Sequence, residues 1–282
     1  MRIHEVSPEE LDYVAAICLD PSVPPRWQEI MEPCMEQRKK WLKSMMAKGL
    51  HVSVALDTPK AVAESLGLEI ERVKAKTVRG SVAMGLVEYV SIEYACEPVK
   101  GESGLFVNCI WVVPPFWRRG VAKALLERCI ENARDYGGVS VLAYEGDKWF
   151  GFFPYMPASF FEKSRFKEVD RDGSRVLMHL DLGGGDRPRL IRAKTRDVGS
   201  GDKPIVDVLY SSQCPWSGWM VDKVKRGVKK YGAVVNAVNT DDRKVVEEYG
   251  LSRGVCVNGK PVIKRMASLK EIESAVKEVL KY

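Results

Sequence analysis

The sequence predicts an α/β protein with two domains: a larger one with a mixed central sheet flanked by helices, and a smaller α/β domain after it. Apolar segments of strand length alternate with amphipathic segments of helix length along most of the chain. A glycine-rich segment, followed by residues without clear periodicity, interrupts that alternation. The length of 282 residues is sufficient for two hydrophobic cores. We therefore expect domains at residues 1–184 and 204–282, joined by a linker at residues 185–203.

The first part of the larger domain is predicted to place two helices between its first two strands. A strand at residues 3–6 precedes a helix that begins at Ser7, where a hydroxyl cap and a proline in the first turn favour a helix start. Helical periodicity returns at residues 27–46, and the alternation at residues 51–56 predicts a strand. A charged helical insertion is expected at residues 61–76.

The central strands come next. Residues 81–94 and 105–113 are rich in apolar and β-branched side chains, which is typical of strands in the middle of a sheet. The remaining predicted elements are a helix at residues 120–136, a strand at 139–144 and, after a hairpin turn at 171–174, a strand at 176–182. The strand–helix–strand unit requires a right-handed crossover.

One strand-to-helix connection in this unit has a clear chemical pattern. It consists of Trp117-Arg118-Arg119-Gly120-Val121-Ala122-Lys123. The small residues at positions 120 and 122 let backbone N–H groups of the turn face one ligand, and the helix that starts there adds a partial positive charge. The two arginines add further positive charge. The pattern therefore predicts that residues 118–123 bind a pyrophosphate-like anion.

The same stretch resembles the acetyl-CoA pyrophosphate loop of the GNAT superfamily of N-acetyltransferases. Gly120 and Ala122 occupy the last two positions of the family's loop pattern, whereas Trp117 stands where the family has Gln or Arg. Further along, residues 159–169 resemble the family's last helix and the strand after it. The resemblance implies a GNAT fold, acetyl-CoA as co-substrate and transfer of acetyl to a primary amine that enters over the helices of residues 8–48.

The resemblance also implies how the rest of acetyl-CoA binds. In the family, two central strands diverge and the pantetheine arm enters the gap. Backbone groups of Ile110, Trp111 and Val112 are therefore expected to bind the arm like an added strand. Phe161 stands where the family often places a tyrosine that acts as an acid, so we expect it to line the cofactor site without donating a proton.

Acetyl transfer to an amine also requires a group that takes the amine proton and a donor near the departing thiolate. Tyr155 is the candidate replacement for the missing tyrosine acid, and packing of its aromatic and proline-containing loop is the alternative. Glu145 and Glu88 are the candidate bases acting through water, with ordinary surface carboxylates as the alternative. Stabilisation of the oxyanion is expected from a backbone N–H near Val112.

The residues after 204 predict a thioredoxin-like order of elements. The expected elements are a strand at residues 205–210, a helix ending near Tyr231, a strand at 233–238, a helix at 243–249, a hairpin at Asn258-Gly259 and a helix at 269–280. The run Gln213-Cys214-Pro215 resembles the YoaP-like domain that follows some GNAT domains. The resemblance therefore covers nearly the whole chain.

Cys214 is the candidate reactive thiol of this second domain. It lies where a helix begins, a position that lowers a thiol pKa because the helix N-terminus stabilises the thiolate. Ser217 occupies the partner position of a dithiol motif, so a local disulfide cannot form. Arg253 stands where a thioredoxin fold usually has a cis-proline, and its guanidinium is expected either to hold the Cys214 thiolate or to recognise a carboxylate. The alternative is an ordinary cysteine in a domain used for docking or dimer contact.

Composition and charge limit the classes of partner. No segment approaches the roughly 18 apolar residues of a membrane-spanning helix, and the chain opens on a polar strand, so we expect a cytoplasmic protein without a membrane partner. The 7 cysteines lack metal-ligand spacing, which predicts neither a disulfide framework nor a metal site. The net charge of +6 is modest and argues against nucleic-acid binding.

Two functional interpretations follow. The favoured one is an N-acetyltransferase that acts on a small-molecule or peptide amine, with a second domain in a regulatory or docking role and a homodimer as a candidate assembly. The alternative is a non-catalytic module that senses acyl-CoA or thiol state, in which Phe161 marks the loss of acid catalysis. Release of free CoA in the presence of amines separates the two.

Overall fold

The structure is a computed structural model that describes residues 1–20, 23–74, 76–146, 148–149, 154–184, 186–198 and 203–280. Its strands are β1 Arg2–Glu5, β2 His51–Asp57, β3 Val82–Ser91, β4 Val99–Lys100, β5 Leu105–Val112, β6 Gly138–Tyr144, β7 Lys167–Asp172, β8 Arg175–Asp181, β9 Arg189–Leu190, β10 Ile205–Tyr210, β11 Val234–Asn239, β12 Gly254–Val257 and β13 Lys260–Ile263. Its helices are α1 Leu11–Cys18, α2 Pro25–Met46, α3 Pro59–Leu66, α4 Ile70–Lys74, α5 Val121–Asn132, α6 Ala158–Glu162, α7 Pro215–Val228, α8 Arg243–Tyr249 and α9 Leu269–Leu280. None of the helices in the described part of the chain is long and apolar enough to cross a membrane.

The chain divides into two compact units that interleave along the sequence. The first consists of Met1–Glu93, Gly101–Val141 and His179–Arg187, and the second of Tyr94–Lys100, Leu142–Met178 and Pro188–Tyr282. Strands β6 and β8 each contribute residues to both units. The domain boundaries expected near residues 184 and 204 stay a prediction, because these units do not follow a single cut in the chain.

The first unit has a mixed sheet. Within it the strand order is β1-β2-β3-β5-β6-β8, with β6 as far as Val141 and β8 from His179. The pairs β1–β2, β2–β3 and β3–β5 are antiparallel, whereas β5 and β6 are parallel. Helices α1 and α5 pack against β3, whose residues are buried except at its end. The mixed central sheet with flanking helices is therefore confirmed.

Strands β5 and β6 pair over only part of the length of β5. Their partners are Leu105 with Val139, Phe106 with Ser140 and Val107 with Val141. Strand β5 continues to Val112 and stays paired with β3 over that distance. Beyond Val107, one edge of β5 therefore remains hydrogen-bonded to β3. The other edge of β5 is not paired with β6.

The second unit contains a separate four-stranded sheet with the order β11-β10-β12-β13. Strands β10 and β11 are parallel, and the pairs β10–β12 and β12–β13 are antiparallel. Helix α7 connects β10 to β11 and packs against β10 and α9. The core of this sheet includes the fully buried Val206, Val208 and Val255. The same unit holds the strand order β6-β8-β7, with β6 from Leu142 and β8 as far as Met178.

One predicted element boundary is wrong, and two other segments are more detailed than expected. Helix α1 begins at Leu11 and not at Ser7, because the Glu10 carboxylate accepts the Ser7 N–H at 3.1 Å and closes a turn. The helical insertion expected after β2 is confirmed, and it consists of two helices because Gly67 adopts a φ of 64° and ends α3. The segment at residues 185–203, whose role as a linker stays a prediction, contains β9, which pairs with β4.

Candidate functional site

The connection between β5 and α5 places backbone N–H groups in front of open space. Gly120 is the N-cap of α5 and adopts a left-handed conformation with a φ of 78°. Arg118 in the same turn has a φ of 61°. Among the described residues, no atom lies within 4 Å of the position that a Cβ on Gly120 would take. The first N–H groups of a helix have no partner within it and carry its positive end, so this turn can hold an anion.

The side chains of the turn are less available than its backbone. The Arg119 guanidinium donates to the Ser65 carbonyl oxygen at 3.0 Å, and Lys123 pairs with Glu127 at 3.7 Å. The predicted anion site at residues 118–123 consequently depends mainly on backbone donors.

The edge of β5 refines the expectation for Ile110, Trp111 and Val112. The Val113 N–H donates to the Met84 carbonyl oxygen at 3.0 Å, so the alternation of an antiparallel ladder directs the backbone groups of Trp111 toward β3. Those of Ile110 and Val112 point to the other edge. The Val112 carbonyl oxygen accepts the Trp117 indole N–H at 2.5 Å. The N–H groups of Ile110 and Val112 are therefore the donors that this edge offers a ligand.

Both candidate bases form ion pairs. Glu88 is fully buried and accepts a hydrogen bond from the guanidinium of Arg38, which is itself buried. Glu145 is exposed and pairs with Arg171, which also binds Glu168. Hydrogen bonds from Arg171 to Glu168 and Glu145 raise the pKa of its guanidinium. A guanidinium would have to move before either carboxylate could act as a base, so the base roles of Glu88 and Glu145 stay predictions. The alternative of an ordinary surface carboxylate is wrong for Glu88, because Glu88 is buried.

Tyr155 lies in a buried aromatic cluster of the second unit. Its ring stacks on Trp149 with centroids 3.9 Å apart and a tilt of 33°, and the ring of Tyr144 lies 6.3 Å away. The Tyr144 N–H donates to the Met156 carbonyl oxygen at 3.1 Å, which attaches the loop to the end of β6. Residues 150–153 of the expected aromatic loop lie outside the described residues. Packing thus holds the Tyr155 ring in place.

Phe161 is fully buried on α6. Its ring contacts those of Phe160 and Phe166, with centroids 5.0 and 5.6 Å apart. Contacts with other aromatic rings of the chain are enough to explain why Phe161 is buried. The expectation that Phe161 lines the cofactor site therefore stays a prediction.

Cys214 is the N-cap of α7, which confirms that it lies at a helix start. It has a φ of −120°, and Pro215 is the first helical residue. The Ser217 Oγ lies 2.7 Å from the carbonyl oxygens of both Ser211 and Cys214 and closes the turn. Cys256 is buried, and burial raises the pKa of its thiol to about 12. The reactivity of Cys214 stays a prediction.

Arg253 lies in a buried polar network of the second unit. Its Nη1 donates to Glu97 Oε1 at 2.6 Å and its Nη2 to Gln213 Oε1 at 2.5 Å. Its guanidinium carbon lies 5.8 Å from the centroid of the Trp149 ring. Two roles were expected for Arg253, holding the Cys214 thiolate or recognising a carboxylate. In the structure Arg253 binds a carboxylate, which is the side chain of Glu97 in the same chain.

Sequence reasoning missed Glu97, because it lies 156 positions from Arg253 and no motif surrounds it. Burial opposes the charge of Arg253, but the Glu97 carboxylate raises the pKa of the guanidinium well above its ordinary value. The guanidinium also interacts electrostatically with Cys214 and Tyr155. Direct contacts of Arg253 reach Gln213, the chain neighbour of Cys214, and the Trp149 ring, which stacks on Tyr155.

Comparison with known proteins finds a family match for one segment of the chain. Residues 75–148 match the model of the acetyltransferase (GNAT) family. The matched segment includes β5, the Gly120 turn, α5 and β6. The match confirms the prediction of a GNAT-type N-acetyltransferase with acetyl-CoA as its co-substrate.

Individual relatives are more distant. The "Uncharacterized N-acetyltransferase YoaP" of Bacillus subtilis (strain 168) is 24% identical over 219 residues, which cover 77% of this chain and 76% of that relative. The PaiA N-acetyltransferase from Thermoplasma acidophilum, solved in complex with coenzyme A, is 16% identical with a TM-score of 0.38 and covers 64% of this chain and 99% of its own. A GNAT family acetyltransferase from Brucella melitensis, in complex with acetyl-CoA, is 13% identical with a TM-score of 0.34 and covers 66% of this chain and 91% of its own.

Proposed function

We propose that this chain transfers the acetyl group of acetyl-CoA to a primary amine of a small molecule or peptide, and that the residues after 204 form a thioredoxin-like domain with a regulatory or docking role. The connection from β5 to α5 carries the proposal. Gly120 in this connection adopts a left-handed conformation, which leaves the start of α5 open to an anion. The connection directly follows β5, and β6 does not pair with β5 beyond Val107. A pyrophosphate and an extended amide-containing arm are the chemical groups that such a turn and such an edge accept.

The proposed chemistry gives each of these groups one role. The turn at residues 118–123 binds the pyrophosphate of CoA, and the Ile110 N–H binds the pantetheine arm. The neutral amine attacks the thioester carbonyl carbon, and the Val112 N–H stabilises the oxygen that becomes negatively charged. Tyr155 donates a proton to the CoA sulfur as the carbon–sulfur bond breaks, the amine nitrogen loses one proton to water, and water reprotonates Tyr155. Binding both reactants in one orientation supplies much of the rate.

The arrangement of the second sheet supports the thioredoxin-like assignment. A parallel β10–α7–β11 unit is followed by α8, the β12–β13 hairpin and α9, and β10 and β12 are the central strands. Ser217 and Arg253 stand at positions that dithiol exchange would require to be cysteine and proline. A regulatory or docking role is therefore favoured over exchange of a local disulfide.

Release of CoA tests the proposal. Acetyl-CoA is incubated with the full chain and a panel of polyamines, amino acids and peptides, and free thiol is measured along with the mass of each acceptor. We expect CoA release and a matching acetylated product with at least one amine. The alternative, a non-catalytic sensor, predicts calorimetric binding of acetyl-CoA without amine-dependent release. A folded chain that binds no acetyl-CoA contradicts both interpretations.

A further inference from the structure

Strand β11 is an outer strand of the four-stranded sheet, and its composition differs from that of the other outer strands. It pairs with β10 on one side, and no strand in the described part of the chain pairs with its other side. Its sequence is Val-Val-Asn-Ala-Val-Asn, without a charged residue or a proline. The outer strands β1, β7 and β13 all contain charged residues. Charges on an edge strand discourage pairing with another chain, so β11 lacks this protection.

The opposite edge of the same sheet shows what such protection looks like. Strand β13 begins with Lys260 and Pro261, and its register with β12 shifts next to Val255. Lysine, proline and an irregular register each discourage an added strand. Strand β11 has none of these features, its register with β10 is continuous, and Val234 at its start is 46% exposed. The contrast indicates that the outer edge of β11 is open to pairing.

The hydrogen bonds between β11 and β10 define which backbone groups face outward. The Val234 N–H donates to the Pro204 carbonyl oxygen at 2.8 Å, and the Thr240 N–H donates to the Tyr210 carbonyl oxygen at 2.9 Å. Successive residues of a strand direct their backbone groups to opposite sides, so the even-numbered positions from 234 to 240 face β10. The backbone groups that point away from the sheet are those of Val235, Ala237 and Asn239.

We propose that β11 pairs with β11 of a second copy of this chain, in an antiparallel register centred on Ala237. In this register Ala237 lies opposite the partner's Ala237, and Val235 lies opposite the partner's Asn239. Each of these pairs exchanges two hydrogen bonds, so every outward N–H and C=O group of β11 finds a partner. The sheets of the two copies become one continuous sheet.

Helix α7 carries charges along the open edge. It packs against β10, and its Gly227 faces α9, because a Cβ on Gly227 would contact Leu269. Helix α9 packs on β12 and β13, so the side of α7 away from Gly227 faces the β11 edge. Three exposed residues lie on that side, roughly 140–200° around the helix from Gly227. They are Asp222, Lys225 and Lys229.

The two-fold symmetry of an antiparallel pair brings these charges opposite to charges of the other sign. The two α7 helices run in opposite directions, about 14 Å apart, since three strand spacings separate the β10 strands below them. A helix with its side chains is about 10–12 Å wide, so facing side chains reach each other. Asp222 precedes Lys225 and Lys229 along α7, and therefore faces the partner's lysines. This complementarity favours a second copy over an unrelated extended peptide.

The inference rests on the docking role proposed for the residues after 204, and it names the partner. It does not depend on acetyl transfer. One strand pair with flanking helices is a small interface, so we expect a reversible dimer with a dissociation constant on the order of micromolar.

Sedimentation velocity of the full chain tests the proposal, over a concentration series that spans the expected dissociation constant. We expect a monomer at the low end of the series and a dimer at the high end. A chain that stays monomeric throughout overturns the proposal. Binding of an extended peptide by such a monomer would identify the other occupant of the edge.

Ala237→Lys and Ala237→Glu test the position of the two-fold axis. Ala237 is exposed, and in the proposed register the substituted side chain lies directly opposite its own copy. We expect each variant alone to raise the dissociation constant by roughly 100-fold, because like charges are juxtaposed. An equal mixture of the two variants should form the dimer again, since Lys then lies opposite Glu. Lys260→Glu alters the charge of the protected edge and should leave the dimer unchanged.

Asp222→Lys tests the contribution of α7 and leaves the strand intact. It places a lysine opposite the partner's Lys225 and Lys229, so we expect the dissociation constant to rise by roughly tenfold. An unchanged constant would contradict the antiparallel alignment of the two helices.

Circular dichroism and CoA release are measured on the same variants. A dimer that survives Ala237→Lys in a folded protein is formed elsewhere and overturns the proposal. A mixture of the Lys and Glu variants that stays monomeric also overturns it. Both results leave acetyl transfer in place, whereas an intact dimer without CoA release contradicts only the acetyltransferase proposal.

Discussion

The connections β5–α5 and β10–α7 have the same order of elements but are built in different ways. In the first, the N-cap is Gly120 in a left-handed conformation, with open space in front of its Cα. In the second, the N-cap is Cys214 in an extended conformation, and the turn before it is buried. The first connection therefore presents backbone N–H groups to a ligand, whereas the second presents a thiol.

Residue type explains the difference. Glycine lacks a Cβ, so it adopts a positive φ at little cost and leaves the N–H groups uncovered. In the second turn, side chains already use the backbone groups: Asp241 accepts the Ser212 N–H at 2.8 Å, and the Ser217 Oγ accepts the Ser211 N–H at 3.2 Å. A helix start can thus bind an anion directly, or it can satisfy its own backbone and display one reactive side chain.

Removal of Arg253 should have the largest effect on the second connection. Arg253→Met leaves the Glu97 carboxylate buried without its partner, so we expect the free energy of unfolding to fall by about 3–5 kcal/mol. Chemical denaturation measures it. Lys74→Met, which breaks an exposed pair with Glu71, should cost less than about 1 kcal/mol. Equal losses in the two variants would mean that the network does not support this turn.

Gly120→Glu should break the first connection as a binding site. The substitution places bulk and a negative charge in the proposed pyrophosphate site, so we expect CoA affinity to fall by roughly 100- to 1000-fold. Isothermal titration calorimetry measures the affinity. Gly173→Glu is a matched control, because Gly173 also has a positive φ of 63° and open surroundings but lies in the β7–β8 hairpin. Undiminished affinity in a folded Gly120→Glu protein would rule out this site.

Tyr155→Phe tests whether the aromatic cluster takes part in the reaction. Without the phenolic proton we expect turnover to fall by roughly 100-fold, with CoA affinity unchanged. Steady-state CoA release with the best amine of the panel measures the turnover. Tyr144→Phe removes a hydroxyl from the same cluster and should retain most of the activity. If Tyr155→Phe is fully active, Tyr155 only packs and water is the proton source.

Ser217→Ala should produce a smaller effect, limited to the second connection. It leaves the Ser211 N–H and a carbonyl oxygen of the turn without their partner, so we expect a loss of about 1–2 kcal/mol in unfolding free energy. Ser65→Ala is the control, because the Ser65 hydroxyl donates only to a carbonyl oxygen of its own helix. A Ser217→Ala protein as stable as wild type would show that Ser217 is not needed to close the turn.

The smallest expected effect is a dependence on pH in the first unit. Burial lowers the pKa of His179, so the folded state binds a proton less readily than the unfolded state. Stability should therefore fall as the pH drops through the ordinary range of histidine. His179→Gln should make the melting temperature less dependent on pH between about pH 7 and pH 5. The same slope in both proteins would contradict this assignment.

Short-range patterns predicted much of the fold. The bounds of β10, α8 and α9 agree with those expected from apolar periodicity and turn residues. The start of α1 was misplaced because Ser7 and Glu10 form a turn, and a sequence pattern does not distinguish a carboxylate that caps a turn from one in the first turn of a helix. The β5–α5 turn was predictable because Gly120 and its neighbours are adjacent in the chain.

The surroundings of the candidate catalytic groups could not be predicted in this way. Glu88 was expected to act as a base through water. Its carboxylate instead accepts a hydrogen bond from the buried guanidinium of Arg38, which lies 50 positions away on α2. Glu97 lies in a bend two residues before β4 and no motif surrounds it, so its bond to Arg253 depends on how the second unit folds. Each of these contacts joins residues far apart in the sequence.

By itself, the sequence determined the order of most strands and helices, the glycine of the predicted anion-binding turn and the chemical groups present, including a phenylalanine at position 161 and a serine at position 217. These features depend on neighbouring residues and on backbone preferences. Only the tertiary structure decided which charges are buried, which carboxylates pair with guanidinium groups and which buried donors keep no acceptor among the described residues. Burial and ion pairing depend on three-dimensional proximity, which residue spacing does not specify.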